Sequence, residues 1–220
     1  MSIKTINERI CKEICHVTID KLKDSSLLDI YKECKSVKNQ IKKLEVILDK
    51  NNITLDVKNN IISSYLLELI PPGTKGAIRG NRFNKIIKDK LIKIFIDNKI
   101  DEDKYELKFE TQCEKYNTTE IPDWYILEKE SNKVIIGMNQ LDLWGGGQQV
   151  NRGSKYLKDN KHNTKNSKLL CVVCNHIEIK GKNKVAELFN IGFLNNTLCY
   201  VKNLENIILN YFSINKNIIL

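Results

Sequence analysis

The spacing of apolar residues changes period along the chain. Up to about residue 100 they recur every three or four positions, the period of helices. Ile6, Ile10 and Ile14 are four apart, and a polar break follows at Asp24-Ser25-Ser26. Ile30, Cys34, Val37, Ile41, Leu44 and Leu48 then alternate steps of four and three, the narrow stripe of a helix that packs against the first helix or against a second subunit. Val57, Ile61, Tyr65 and Leu69 predict a third helix from Asp56 to Leu69, stopped by Pro71-Pro72. The glycine-containing run from Pro72 to Arg82 reads as a basic, flexible loop, after which Ile87, Leu91, Ile94 and Phe95 restore a helix.

From Tyr105 the runs become short and β-like: Tyr105 to Phe109, Trp124 to Leu127 and Lys133 to Leu143, with Ser131-Asn132 turning the second into the third as a hairpin. Glycines 145–147 precede a helix from Gln148 to Lys158. A strand at Lys168 to Cys174, another near Leu198 to Val201 and a terminal helix from Leu204 complete the order. Helices, a meander, a helix and two further strands describe an α/β core with a mixed sheet flanked by helices. The expected division is an N-terminal helical region over 1–50 and a core over 51–220.

Composition adds a partner to this picture. The 36 Lys and Arg exceed the 27 Asp and Glu, giving +9, a charge that suits a polyanion because each neutralised phosphate releases counterions. Lys, Asn and Ile crowd the chain, so part of that charge reflects composition. Against this background the four arginines, Arg9, Arg79, Arg82 and Arg152, stand out for their planar donor geometry. Seven cysteines, an odd number, with Lys4, Glu8 and Arg9 at the start instead of a signal-peptide pattern, fit a reducing compartment, the cytoplasm or nucleus. No apolar stretch reaches the roughly 20 residues of a membrane span. Cys171, Cys174 and His176 have zinc-like spacing, but Leu169 to Cys174 reads as a buried strand in which cysteine is a small hydrophobe.

No phosphate-cradling glycine loop is followed by Lys-Ser or Lys-Thr, and the histidines at 16, 162 and 176 are scattered, which argues against P-loop and histidine-based hydrolase chemistry. The acidic residues are better placed. Asp123 follows Pro122 at the start of an apolar strand, and the next strand ends in Asn139-Gln140-Leu141-Asp142-Leu143-Trp144. Three glycines then lead to Gln148, Gln149, Asn151 and Arg152, whose side chains have the chemistry of direct base readout in the major groove.

This linked order resembles the PD-(D/E)xK nuclease superfamily, to which many type II restriction endonucleases belong. The resemblance spans residues 68–201 and implies a restriction-endonuclease-like mixed sheet with an N-terminal helical extension. It implies a Mg²⁺-dependent, site-specific deoxyribonuclease, a hydrolase acting on double-stranded DNA. Asp123 and Gln140 are then the metal ligands. The second half-motif departs from acid-x-Lys, since the triplet is Gln140-Leu141-Asp142. Gln140 offers an amide oxygen that a hard cation accepts. Lys155, or Asp142 acting on the attacking water, takes the place of the lysine, and Glu68 adds a carboxylate. Glu178-Ile179-Lys180 is a literal acid-x-Lys but lies beyond the intervening helix.

Gln148, Gln149, Asn151 and Arg152 are the expected base-reading residues, with Lys75, Arg79 and Arg82 on phosphates. A homodimer is expected, because a palindromic duplex site is read most economically by a two-fold protein. Two rivals remain open: a catalytically inactive DNA-binding protein on the same fold, and a helical interaction protein.

Overall fold

A computed structural model of the chain describes residues 33, 35–69, 72–116, 120–140, 154–158, 163–173 and 184–215. They form two compact units that divide between Arg82 and Phe83. The boundary expected at residue 50 falls inside the first unit.

The first unit contains α1 (Lys35–Lys50), α2 (Leu55–Leu69) and the start of α3 (Pro72–Asp97). In α1 the expected stripe faces inward, with Val37 buried and Ile41, Leu44 and Leu48 half-buried. A tight turn at Asn51-Asn52 reverses the chain, and Asn52 takes the left-handed conformation (φ 55°) that asparagine tolerates. Lys58 Nζ and Asp49 Oδ1, 2.5 Å apart, tie the two helices. The inner side of α2 runs through Lys58, Ile61 and Ile62, whereas Val57 and Tyr65 of the expected face are exposed.

The loop expected over 72–82 is instead the beginning of α3. Pro72 is compatible with a first helical turn, where its missing N–H has no partner to lose. Each glycine within the helix costs only about 1 kcal/mol relative to alanine. The apolar stripe Phe83, Ile87, Leu91, Ile94 and Phe95, all buried, anchors the remainder.

The second unit is a three-layer α/β structure. Its sheet has the order β1 (Tyr105–Phe109), β2 (Trp124–Glu128), β3 (Lys133–Gln140), β4 (Ser167–Val173), β5 (Leu198–Tyr200). The first three strands form an antiparallel meander, and β4 and β5 add in parallel, so the sheet is mixed as expected. Trp124, Ile126, Ile135 and Ile136 are among the largest fully buried side chains, which places the core on both faces of β2 and β3.

Register assigns the faces. Phe109, Trp124 and Gly137 are mutually opposite and share one face with Asn139. On that face lie α3, whose Lys88 Nζ is 4.9 Å from the Phe109 ring centroid, and α5 (Leu204–Phe212), whose Phe212 meets Tyr105 edge-on at 5.4 Å. The other face carries α4 (Lys184–Leu194), where Phe193 packs on Tyr200 at 4.9 Å. A π-helical turn, Ser154–Lys158, adjoins α4: a Cβ on Gly192 would lie 3.0 Å from a Leu157 methyl.

Helix α4 has no counterpart in the sequence reading, because its apolar residues leave no clean stripe and Gly192 interrupts it. That glycine is needed, since a Cβ there would sit 2.8 Å from Leu198 Cβ. Cys171 is buried within β4, in agreement with the strand reading; Cys174 and His176 lie outside the described residues. Among the described residues no helix is long and apolar enough to cross a membrane.

The β2–β3 hairpin is closed by a polar clamp. Asn132 supplies the left-handed residue of the turn (φ 55°), and the Glu128 carboxylate accepts hydrogen bonds from the Tyr105 hydroxyl (3.0 Å) and from Ser131 Oγ, with Lys104 Nζ at 3.3 Å. Burial pushes the Glu128 carboxyl up, but these three partners outweigh it and hold the group below its ordinary range.

Candidate active site at the Asp123 end of the sheet

Asp123 precedes β2 in an irregular conformation with a definite hydrogen-bond pattern. Its N–H donates to the carbonyl of Gly137 (3.1 Å), the residue that already stands opposite Trp124. Two consecutive residues of one strand therefore face a single residue of the next, the count that defines a β-bulge. In a regular strand Asp123 and Trp124 would project to opposite faces. At this bulge both side chains join one network.

That network links three elements. Asn84 of α3 donates through Nδ2 to Asp123 Oδ1 (3.0 Å). The backbone N–H of Asn139 donates to Asp123 Oδ2 (2.7 Å). Asn139 Nδ2 donates to Asn84 Oδ1 (3.1 Å), and Trp124 Nε1 donates to Asn139 Oδ1 (3.0 Å). An indole nitrogen can only donate, so it sets the direction of every amide that follows. Asn139 must turn its oxygen to Trp124 and its nitrogen to Asn84, and Asn84 must then turn its nitrogen to Asp123. The relay ends on a carboxylate because only an acceptor can end it.

Close packing supports the relay. The Trp124 indole lies on Gly137, where an added Cβ would be 1.8 Å from Trp124 Cε2. Beside the site, Glu110 donates its N–H to the Asp123 carbonyl (3.1 Å) and adopts a left-handed backbone (φ 49°), uncommon for a residue other than glycine, asparagine or aspartate.

The expected site residues that the structure describes fall on several elements. Asp123 is half-buried at the centre of the network. Gln140 is the last, half-buried residue of β3, and strand alternation directs it to the face opposite Asn139. Asn139, one residue earlier, is the amide that joins the Asp123 network. Lys155 lies on the π-helical turn and pairs with Glu120 (Nζ to Oε1, 3.2 Å), while the buried Tyr156 donates its hydroxyl to Glu120 Oε2. Glu120 thereby connects that turn to the segment three residues before Asp123.

Arg82 is half-buried on α3. Lys75 and Arg79 lie on the same helix and Glu68 on α2, their side chains outside the described set. Asp142, Gln148, Gln149, Asn151 and Arg152, and the pair Glu178 and Lys180, fall outside the described residues.

Asn84, Asn139, Trp124 and Glu120 were absent from the sequence-based site. One signal was legible: a glycine inside a strand pattern, as at Gly137, marks a bulge or a close approach. Among the described residues no three His, Cys, Asp or Glu side chains cluster as a metal cage. Among the described residues of this network Asp123 is the one carboxylate, its two oxygens oriented by the Asn84 amide and the Asn139 N–H. That chemistry fits Mg²⁺, which commonly keeps several waters and takes one or two carboxylates together with substrate phosphates. Asp123 is the residue that would hold it.

Comparison of the chain with family models, with curated proteins and with solved structures finds no match.

Proposed function

We propose that the chain is a sequence-specific, metal-dependent endonuclease that hydrolyses phosphodiester bonds in double-stranded DNA, of the PD-(D/E)xK kind. The observation that carries this reading is the treatment of Asp123. A bulge takes the aspartate after Pro122 out of strand alternation, and two donors from different elements fix both of its oxygens. Bulges re-aim side chains in this way beside active sites. The placement of that residue at the head of a hairpin in a mixed, helix-flanked sheet agrees with the resemblance.

Bound Mg²⁺ supplies charge neutralisation at the scissile phosphate and lowers the pKa of water. The chain's own residues then divide the work. Asp123 would hold the cation; Gln140, which the resemblance makes the second oxygen donor, points by strand alternation to the face of β3 opposite Asn139 and would have to reach the cation around the strand end. Asp142 or Lys155 manages the proton of the attacking water; for Lys155 this requires exchange of its Glu120 partner. Lys75, Arg79 and Arg82 contact phosphates, and Gln148, Gln149, Asn151 and Arg152 read bases. A homodimer reads both halves of a palindromic site.

The test is incubation of plasmid DNA with the protein and Mg²⁺, followed by sequencing of the fragment ends. Defined ends that disappear with EDTA are the expected result. Absence of cutting, with binding that weakens steeply as salt rises, would favour the second reading: an inactive DNA-binding protein on this fold. Two observations favour that rival, since β3 ends in Met138-Asn139-Gln140 with no acid-x-Lys, and Lys155 is engaged by Glu120.

A further inference from the structure

We infer that Asn84 is the positioning residue of the cation site, acting through Asp123; this inference rests on the reading of Asp123 as a metal ligand. A carboxylate gains little as a ligand if it must be immobilised on each binding event, so its orientation is best fixed beforehand. Asp123 sits before β2, outside the regular ladder, so its side chain takes its orientation from side-chain and main-chain donors around it. Two of these donors are defined. One is the main-chain N–H of Asn139, which comes with the fold of β3. The other is the Asn84 side chain, 39 positions away in sequence on α3.

The polarity of the relay gives Asn84 a specific task. Trp124 sets Asn139, and Asn139 sets Asn84, so that Nδ2 and not Oδ1 meets the carboxylate. A reversed amide would place an oxygen against Asp123 Oδ1 and turn it away. Asn84 is neutral, so it orients the ligand without competing for it as a lysine or arginine would. Partners of this kind, bonded to a ligand and not to the metal, typically change metal affinity by about 10- to 100-fold when removed.

The experiment is a calorimetric titration of the intact protein with Mn²⁺ in the absence of DNA, paired with cleavage rates across a Mg²⁺ series. For Asn84→Ala, the cation dissociation constant should rise about 10- to 100-fold, the Mg²⁺ concentration for half-maximal cutting should rise by the same factor, and the rate at saturating Mg²⁺ should stay within a few-fold of wild type. Asn139→Ala keeps the main-chain donor but releases the Asn84 amide, so a smaller shift in the same direction is expected; it also serves if Asn84→Ala does not fold. Unchanged cation affinity in a folded variant overturns the role of Asn84 while leaving the nuclease reading intact. Failure of the wild type to bind Mn²⁺ overturns both.

Discussion

Trp124 and Gly137 occupy one space across the β2–β3 pair: the indole rests where the side chain of residue 137 would begin. A methyl group there would lie 1.8, 2.2 and 2.3 Å from three ring atoms, distances that no small adjustment accommodates. Gly137→Ala is therefore expected to destabilise the protein by about 3 kcal/mol, and to displace the indole from Asn139. Chemical denaturation gives the first quantity and near-ultraviolet circular dichroism the second. A variant as stable as wild type would mean that the indole has another place to go.

Asp123→Asn tests the relay as well as the chemistry. Both carboxylate oxygens face donors, Asn84 Nδ2 and the Asn139 N–H. An amide at 123 must point its own NH₂ at one of them, whichever way it turns. The expected cost in stability is about 1–3 kcal/mol. Cleavage measured below the unfolding transition should fall about a hundredfold or more. Wild-type cutting by the folded variant would remove Asp123 from the active site.

Glu110 carries backbone strain at the end of β1 (φ 49°). Glycine adopts that conformation without the clash of Cβ with the backbone, so Glu110→Gly is expected to stabilise the protein by about 1 kcal/mol. The denaturation midpoint measures this directly. A lower midpoint would show that the Glu110 side chain contributes more than its backbone costs.

The Glu128 clamp makes a statement about acid stability. Burial opposes ionisation, yet the bonds from Ser131, Tyr105 and Lys104 hold the folded carboxyl below its ordinary value of 4.5. A group with a depressed folded pKa contributes stability that is present above the unfolded pKa and lost as pH falls through the folded one. Wild type should therefore exceed Glu128→Gln in stability at neutral pH, and the gap should narrow as the pH drops below 4.5. Denaturant titrations over a pH series read the gap, and a constant difference would reject the linkage.

What the sequence made legible was periodic. The shift from four-and-three spacing to short apolar runs located α1, α2, the later part of α3 and all five strands to within a few residues. The sequence misleads where a local signal meets a tertiary one. Glycines at 73, 76 and 80 suggested a loop, but the apolar stripe from Phe83 onward carries the helix through them. Helix α4 is apolar on most sides, its exposed end at Leu194 included, and so shows no stripe.

Of the candidate site, Asp123 was legible from Pro122 and the strand after it. Its surroundings were not, for a physical reason. The Asn84–Asp123 and Asn84–Asn139 bonds span 39 and 55 positions, and an asparagine on a helix reads as an ordinary polar residue until the fold brings it to its partner. The bulge leaves no mark in the hydrophobic pattern, and Gly137 within the strand pattern is the one hint of it.

The order of strands in the sheet is the order of strands in the chain. Each new strand can add to the edge left by the one before, so no early strand must wait for a distant later segment to slide in beside it. Such a sheet suits assembly during synthesis, growing strand by strand as the chain leaves the ribosome. Every partner in the relay lies between residues 84 and 139. The hydrogen-bonded relay around Asp123 thus draws on residues made before β4, α4, β5 and α5, and those later elements, Cys171 of β4 among them, complete its surroundings.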